Sequence, residues 1–531
     1  MWKIFKRICL IIIIISGIIP LSSCISTVQK EYKLIWKPSV VVTTTYGKIR
    51  GFESSPETFG WKAIPFAKPP VGELRWKAPR DPEPWEGIRD GSKFCDKCTQ
   101  YSFFGGIEGK EDCLYLNIWR PNSNENRLPV YFWIHGGGNS IMTASSDSFN
   151  GEKLSKNANL VVVTTNYRLG PMGWFTHPAL RKGKSDKDDS GNYGTLDIIK
   201  ALEWVKGNIR VFGGDPNNIT IAGESAGAVD VFTLLVSPLA ADLFHRAIAQ
   251  SGSPRMASLA DGEKHVDSVL ERLLINDGKA VDRESTKTIR EKMSLSDLES
   301  YLRSKTAEEI LRGHRKSYGP MIRFPNCFKD GIVIPSEGAA AFKDPKRYNQ
   351  VPLIMGTNKE EMKLFMRPSF KSMTPDEYQK KALEASALWQ KRGVDDIAEI
   401  ITSFKSQPNV YAYQFNYGAY NPEGYNVWPT DKKGINYALA MGAAHGLDVP
   451  FFWGNFSFFG LDRILFREDN KKGREALSAI MMQYVAQFTK TGKPGEAGGM
   501  KWEPWSNIEG ESKRILFDAD ADEAILKMSN R

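Results

Sequence analysis

Apolar residues come in unbroken runs at Leu128-Pro129-Val130-Tyr131-Phe132-Trp133-Ile134, at Leu160-Val161-Val162-Val163-Thr164-Thr165 and at Ile219-Thr220-Ile221-Ala222. A strand with one wet face alternates apolar and polar residues, whereas a strand covered on both faces need not, so these runs predict a sheet enclosed between helices. Leu196, Ile199, Leu202, Val205 and Ile209 recur at helical spacing and predict a helix over 196–211. Strand, helix, strand in this order implies a mostly parallel sheet. Further strands are expected at 351–356 and 410–415, and a helix over 474–489 ahead of the Gly/Pro-rich break at 491–499. The β-branched stretch 40–45, with a turn at Gly47, predicts a short strand pair before the main sheet. From 261 to 313 the chain turns charged, and Val266, Val269, Leu270, Leu273, Leu298, Tyr301 and Leu302 mark amphipathic helical faces. No repeat or Pro/Ser/Gly linker divides the rest. The expectation is one α/β domain over 40–531, a large mostly parallel central sheet flanked by helices with a helical insertion at about 261–313.

Ahead of this domain, Lys3, Lys6 and Arg7 precede an aliphatic stretch and then Pro20-Leu21-Ser22-Ser23-Cys24, the order of a secretory signal over 1–23. The apolar stretch is interrupted by Ser16, Gly17 and Pro20 and is shorter than the roughly 20 residues a spanning helix needs. Leu21-Ser22-Ser23-Cys24 resembles the lipobox of bacterial lipoproteins. That resemblance implies lipidation at Cys24, a tether over 24–39 and a lipid anchor holding the protein to the bacterial cell envelope; secretion without lipid is the alternative. Composition is that of an ordinary folded protein, 531 residues with 41% hydrophobic and 25% charged, which excludes a disordered chain. The formal charge of +9 is spread without any Lys/Arg block, so no nucleic-acid partner is expected.

Of six cysteines, Cys9 and Cys24 belong to the leader, leaving Cys95, Cys98, Cys113 and Cys327 with three possible pairings. An exported chain meets an oxidising compartment, which favours a bridge over free thiols, and Cys98 to Cys113 would close a short loop. Cys95-x-x-Cys98 has neither a second CxxC nor a His-x-x-x-His partner, so no metal is expected, and no cofactor.

Gly223-Glu224-Ser225-Ala226-Gly227 fits G-x-S-x-G at the end of a strand, with small residues opening a helix. A sharp strand-to-helix turn leaves no room for side chains two positions either side of the serine, which is the job of the glycines. Ser225 is the candidate nucleophile, and a hydroxyl needs a general base, most often histidine. In the order nucleophile, acid, base, the choices are His245, His265, His314 and His445. His245 lies close behind the nucleophile in an expected helix, and His265 and His314 read as solvated side chains of the insertion. His445, in Gly442-Ala443-Ala444-His445-Gly446, sits in a small-residue loop that can bring an imidazole to a substrate. The acid that orients it is sought in Glu360 or Glu361, just past the strand ending at Gly356, and spacing leaves both open. His135-Gly136-Gly137-Gly138 follows another strand and offers bare amides at Gly137 and Gly138 to join that of Ala226 around a developing oxyanion.

With these residues in place, the chain resembles the type B carboxylesterases, the cholinesterase-like branch of the α/β-hydrolases. The likeness covers Ala63-Ile64-Pro65-Phe66-Ala67-Lys68-Pro69-Pro70-Val71-Gly72, Glu111-Asp112-Cys113-Leu114-Tyr115-Leu116-Asn117-Ile118-Trp119, Asn166-Tyr167-Arg168-Leu169-Gly170, Gly191-Asn192-Tyr193-Gly194 and Phe212-Gly213-Gly214-Asp215-Pro216. It implies the α/β-hydrolase fold and a serine ester hydrolase acting on small-molecule esters, with Ser225 as nucleophile, Glu361 as acid, His445 as base and Gly137, Gly138 and Ala226 as oxyanion donors. It also implies a Cys98–Cys113 disulfide and an Arg75–Glu111 pair. Glu360-Glu361-Met362 stands where the family has Asp-Glu-Gly, and Asn139 where a phenylalanine follows the glycines, which predicts a more polar pocket wall. Trp174 and Phe175 fall in a segment similar to one that lines the gorge in the family, with an ordinary packed aromatic pair as the alternative. The same machinery serves lipases and amidases, and the fold also serves as a catalytically silent adhesion module, a class that usually lacks the nucleophile or the base.

Overall fold

The computed structural model describes residues 40–530. The expected signal over 1–23, Cys24 and the tether over 24–39 lie outside the described residues. Eleven strands form the central sheet: β1 (Phe52–Ser55), β2 (Thr58–Pro65), β3 (Tyr115–Pro121), β4 (Leu128–Ile134), β5 (Val161–Thr165), β6 (Gly214–Glu224), β7 (Arg246–Gln250), β8 (Leu353–Asn358), β9 (Val410–Phe415), β10 (Arg514–Ala519) and β11 (Ala524–Ser529). Their spatial order is β1-β2-β3-β5-β4-β6-β7-β8-β9-β10-β11. From β5 through β10 every pairing is parallel. Antiparallel pairs close the two edges. Val41–Thr43 pairs with Lys48–Arg50 beside this sheet, as the β-branched stretch predicts.

The unbroken apolar runs follow from burial on both faces. In β4, Val130, Phe132 and Ile134 join one core cluster, while Tyr131 and Trp133 join the other. Helices α1 (Tyr193–Asn208) and α2 (Ala226–Val236) cover the first face with Leu202, Val205, Val231 and Phe232. The insertion follows β7 as four helices, α3 (Leu259–Asn276), α4 (Arg283–Lys292), α5 (Leu295–Ser304) and α6 (Ala307–Arg312). Each opens on a reciprocal capping box, led by Ser258, Asp282, Ser294 and Thr306, which satisfies amide groups otherwise left open at a helix start. Val266, Val269, Leu270 and Leu273 pack there with Leu298, Tyr301 and Leu302 in a separate small core. Between β8 and β9 lies α7 (Pro375–Gln390). The last long helix, α8 (Lys471–Thr491), packs Leu477, Met481, Val485 and Phe488 on the second face.

Three expectations are corrected. His245 lies outside any helix: α2 ends at Val236, and His245 immediately precedes β7, its Nδ1 accepting from the Ile219 amide at 3.1 Å. His314 is buried, closing α6 through Nδ1 and the Ile310 carbonyl at 3.0 Å. His265 is half-buried against it, the rings 5.1 Å apart, and burial lowers both imidazoles, to about 4 for His265 and about 3 for His314.

Candidate active site

The parallel strands all present their C-terminal ends to one edge of the sheet, where ligands of open α/β sheets bind. There β4 runs into the His135-Gly136-Gly137-Gly138 loop, β6 into Ser225, and β8 into Glu360 and Glu361. Ser225 holds φ 58° and ψ −119° between β6 and α2. A non-glycine residue in that region is strained by about 1–3 kcal/mol and persists only when its surroundings fix it. They do: the Ser225 amide donates to the Gln250 carbonyl at 2.8 Å. A Cβ at Gly223 would overlap the Gly227 carbonyl, and one at Gly227 would overlap that of Ile134. The steric role expected of both glycines is thus present.

The second loop approaches the same turn, since a Cβ on Gly136 would stand 3.1 Å from Ser225 Cβ. Gly137 and Gly138 take φ 91° and 65°. Among the described residues no acceptor pairs with the amides of Gly137, Gly138 or Ala226. Asn139 also takes a positive φ, 55°, and corrects the expectation of a polar pocket wall. Its side chain is buried behind the loop, where Nδ2 donates to Asp230 Oδ1 at 3.2 Å and Oδ1 accepts from the Tyr167 hydroxyl at 3.1 Å. The single Tyr167 hydroxyl proton is shared with the nearer His135 carbonyl at 2.6 Å. Asp230 lies on α2, so this network ties the glycine loop to the helix that follows Ser225, and burial raises the Asp230 carboxyl to about 8. Trp174 and Phe175 are buried too: the Trp174 indole donates to Thr195 Oγ1 at 3.2 Å, and Phe175 stacks on Trp76 at 4.7 Å.

Glu360 and Glu361 are both fully buried, and their partners separate them. Glu361 Oε2 lies 2.6 Å from His445 Nδ1, while Oε1 accepts from the Asn358 amide at 2.7 Å. Glu360 faces the other way. It takes Lys363 at 2.8 Å and accepts the amides of Ala443 at 3.0 Å and Tyr420 at 3.1 Å, fastening the loop that carries His445. A Cβ on Gly442 would strike its carboxylate, which accounts for glycine at φ 48° there.

His445 Nε2 lies 3.1 Å from Oε1 of Glu224, the residue before Ser225. The ring packs against Phe365 and Trp389, each 5.0 Å away, which stack on each other at 5.6 Å. Burial works against a charged imidazole here, but the carboxylates of Glu224 and Glu361 outweigh it and raise the His445 pKa. Burial moves Glu224 upward as well, so the two groups titrate as a pair. Asp448, buried and bonded to the Tyr413 hydroxyl at 2.6 Å, completes the cluster. Glu224 and Asp448 escaped the reading of the sequence. The only mark of Glu224 is its place as the first variable residue of G-x-S-x-G, and Asp448 has none beyond standing three residues after His445.

Around this edge, Cys98 and Cys113 form a disulfide with Cα atoms 5.1 Å apart, leaving Cys95 and Cys327 unpaired. Arg75 forms a two-point pair with Glu111, Nε to Oε2 at 2.7 Å. Arg168 holds Asp197 of α1 through Nε at 2.8 Å and Nη2 at 2.7 Å, wholly buried, which fixes the strand-end segment beside the glycine loop. Among the described residues, no cluster of His, Cys, Asp and Glu suited to a metal ion occurs.

The carboxylesterase family model matches residues 38–394 and 391–528. Para-nitrobenzyl esterase of Bacillus subtilis is 32% identical over 473 residues, 86% of this chain and 90% of the relative. Fumonisin B1 esterase of Sphingopyxis macrogoltabida is 46% identical over a shorter stretch of 235 residues, 43% of this chain and 42% of the relative. Among solved structures, a PNB esterase superposes with a TM-score of 0.72 at 28% identity, covering 92% of this chain and 97% of the other. A Geobacillus stearothermophilus carboxylesterase gives 0.71 at 28%, covering 92% and 98%. Strand order, the G-x-S-x-G turn and these likenesses agree: the chain belongs to the carboxylesterase family of α/β-hydrolases and is a carboxylic ester hydrolase.

Proposed function

We propose that Ser225, His445 and Glu361 hydrolyse the ester through an acyl-enzyme. His445 Nε2 takes the Ser225 proton as Oγ bonds to the ester carbonyl carbon, and the carbonyl oxygen becomes an oxyanion held by the amides of Gly137, Gly138 and Ala226. Collapse breaks the bond to the alkoxy oxygen, and His445 returns the proton to the departing alcohol. Water then attacks by the same route, releasing the acid and restoring the hydroxyl. Glu361 keeps Nδ1 protonated and offsets the imidazolium charge. The observation that carries this reading is the 2.6 Å contact of Glu361 with Nδ1, which leaves Nε2 on the other side of the ring, 3.1 Å from the side chain of Glu224, the residue before Ser225. Phe365, Trp389 and Met321, near His445 and Gly138, favour an ester whose reacting end is apolar. Ser225→Ala is expected to lower turnover of short p-nitrophenyl esters by about 10⁴-fold or more; loss within tenfold would reject the assignment.

The sequence around Cys24 supports lipid attachment at the cell envelope. Cys24→Ser is expected to shift the protein from the membrane to the soluble fraction of its host, and an unchanged distribution would contradict a lipid anchor.

A further inference from the structure

The helical insertion carries a second concave surface. A cleft of about 850 Å³ opens between α3, the start of α4 and the segment 315–325, a size suited to a small ligand. Lys264, Arg272, Arg283, Arg315 and Arg323 line it, against only two carboxylates, Asp261 and Glu271. Both acids are engaged. Asp261 caps α3 by accepting from Ser258 Oγ at 2.7 Å, and Glu271 faces Arg283 at 3.5 Å and Arg290 at 3.9 Å. Among the described residues, Lys264, Arg315 and Arg323 pair with no carboxylate, although Arg315 and Arg323 are exposed side by side, joined by the Arg323 amide and the Arg315 carbonyl at 3.2 Å. The Arg272 guanidinium, which donates to the Gly313 carbonyl, is pushed below its ordinary pKa by burial and by the Arg315 charge. His265, neutral on this wall, leaves a buried Nε2 without a partner. Like charges gathered in a concavity repel one another, and the same arrangement focuses an attractive field on an anion.

The segment that supplies Arg315 and Arg323 is a small hairpin, bridged antiparallel between Lys316 and Ile322. Its base is in the cleft. Its tip reaches the candidate active site: Tyr318 packs on Phe365 at 5.4 Å, and Phe365 packs on His445. Met321 Sδ lies 3.3 Å from where a Cβ on Gly138 would stand.

We propose that this cleft binds a small anion bearing two or more phosphate or carboxylate groups, gripped chiefly by Arg315 and Arg323, whose planar forks match either group. The anion is either a separate ligand or the charged end of an ester whose reacting end lies at Ser225. Calorimetric titration of the full chain with pyrophosphate and with citrate, at constant ionic strength, tests the site. Saturable one-to-one binding of either is expected, weakened about tenfold or more in Arg315→Glu/Arg323→Glu. Lys264→Glu, a single exposed change, is expected to weaken it about threefold and stands in should the double variant fail to fold. No saturation with either anion, or equal affinity in variant and wild type, would overturn the proposal. Inhibition by the bound anion distinguishes its source. Competition only against a dicarboxylate-bearing ester marks the cleft as a substrate subsite, while absence of competition against both charged and neutral esters marks a separate ligand; either supports the cleft. Titration of Ser225→Ala keeps this result apart from the fate of the triad.

Discussion

The two halves of the candidate active site are built differently. On the β4 and β6 side, glycines and main-chain amides do the work: Ser225 is forced into its turn by Gly223 and Gly227, and the Gly137 and Gly138 amides are left open by positive φ. On the imidazole side, the work is done by buried charge, with Glu361 from the end of β8, Glu224 from the end of β6 and Asp448 around one imidazole, and Glu360 fastening the loop that carries it. Amides do not titrate, so the main-chain donors of the first half carry no pH dependence of their own. The second half carries the pH dependence of the reaction, and its partners cannot be exchanged by residue type alone.

The sharpest division falls between adjacent glutamates. Glu361→Gln is expected to lower kcat about 10³- to 10⁴-fold, because an amide can present the wrong hydrogen-bonding group to Nδ1 and cannot offset the imidazolium. Glu360→Gln is expected to act on stability, by about 3 kcal/mol, because it strands the buried Lys363 charge, with a smaller loss of kcat in the protein that still folds. Parallel kinetics and thermal melts decide this, and equal, mild kinetic losses in both variants would remove the division.

The smallest effect expected is a displaced pH profile. In the proposed mechanism His445 is a base only when neutral, so the acid limb of kcat/KM is expected to follow its pKa in the free enzyme. Glu224 holds that pKa up by favouring the charged ring. Removing the carboxylate in Glu224→Gln lowers it, so the neutral imidazole persists to more acidic pH, and the limb is expected to move down by about one unit. A limb that stays in place, or moves to higher pH, would deny Glu224 this influence.

This contrast also governs what could be read from the sequence. Backbone requirements leave glycines at fixed spacing, so the nucleophile turn and the amide loop were legible, as were the strands buried on both faces. Strand β3, paired on both sides, gave no such signal, because its buried Asn117 breaks the apolar run. That asparagine is satisfied only in three dimensions, by Thr164 Oγ1 at 3.1 Å and by the Ala63 amide at 3.1 Å, beside the bulge in β2. The same limit concealed the environment of Asn139, whose partners Tyr167 and Asp230 come from distant segments. His314 looked solvated because the insertion is polar on average, whereas α3, α5 and α6 bury apolar residues along one side. Spacing alone left Glu360 and Glu361 open, and family resemblance pointed to Glu361. Geometry distinguishes them by which carboxylate meets the imidazole.

The nucleophile assignment is tested most directly by fluorophosphonate labelling followed by peptide mass mapping. One phosphonyl group per chain, on Ser225 and absent from Ser225→Ala, is the expected result. A folded protein that hydrolyses esters yet carries the label on another residue, or takes none, would contradict it.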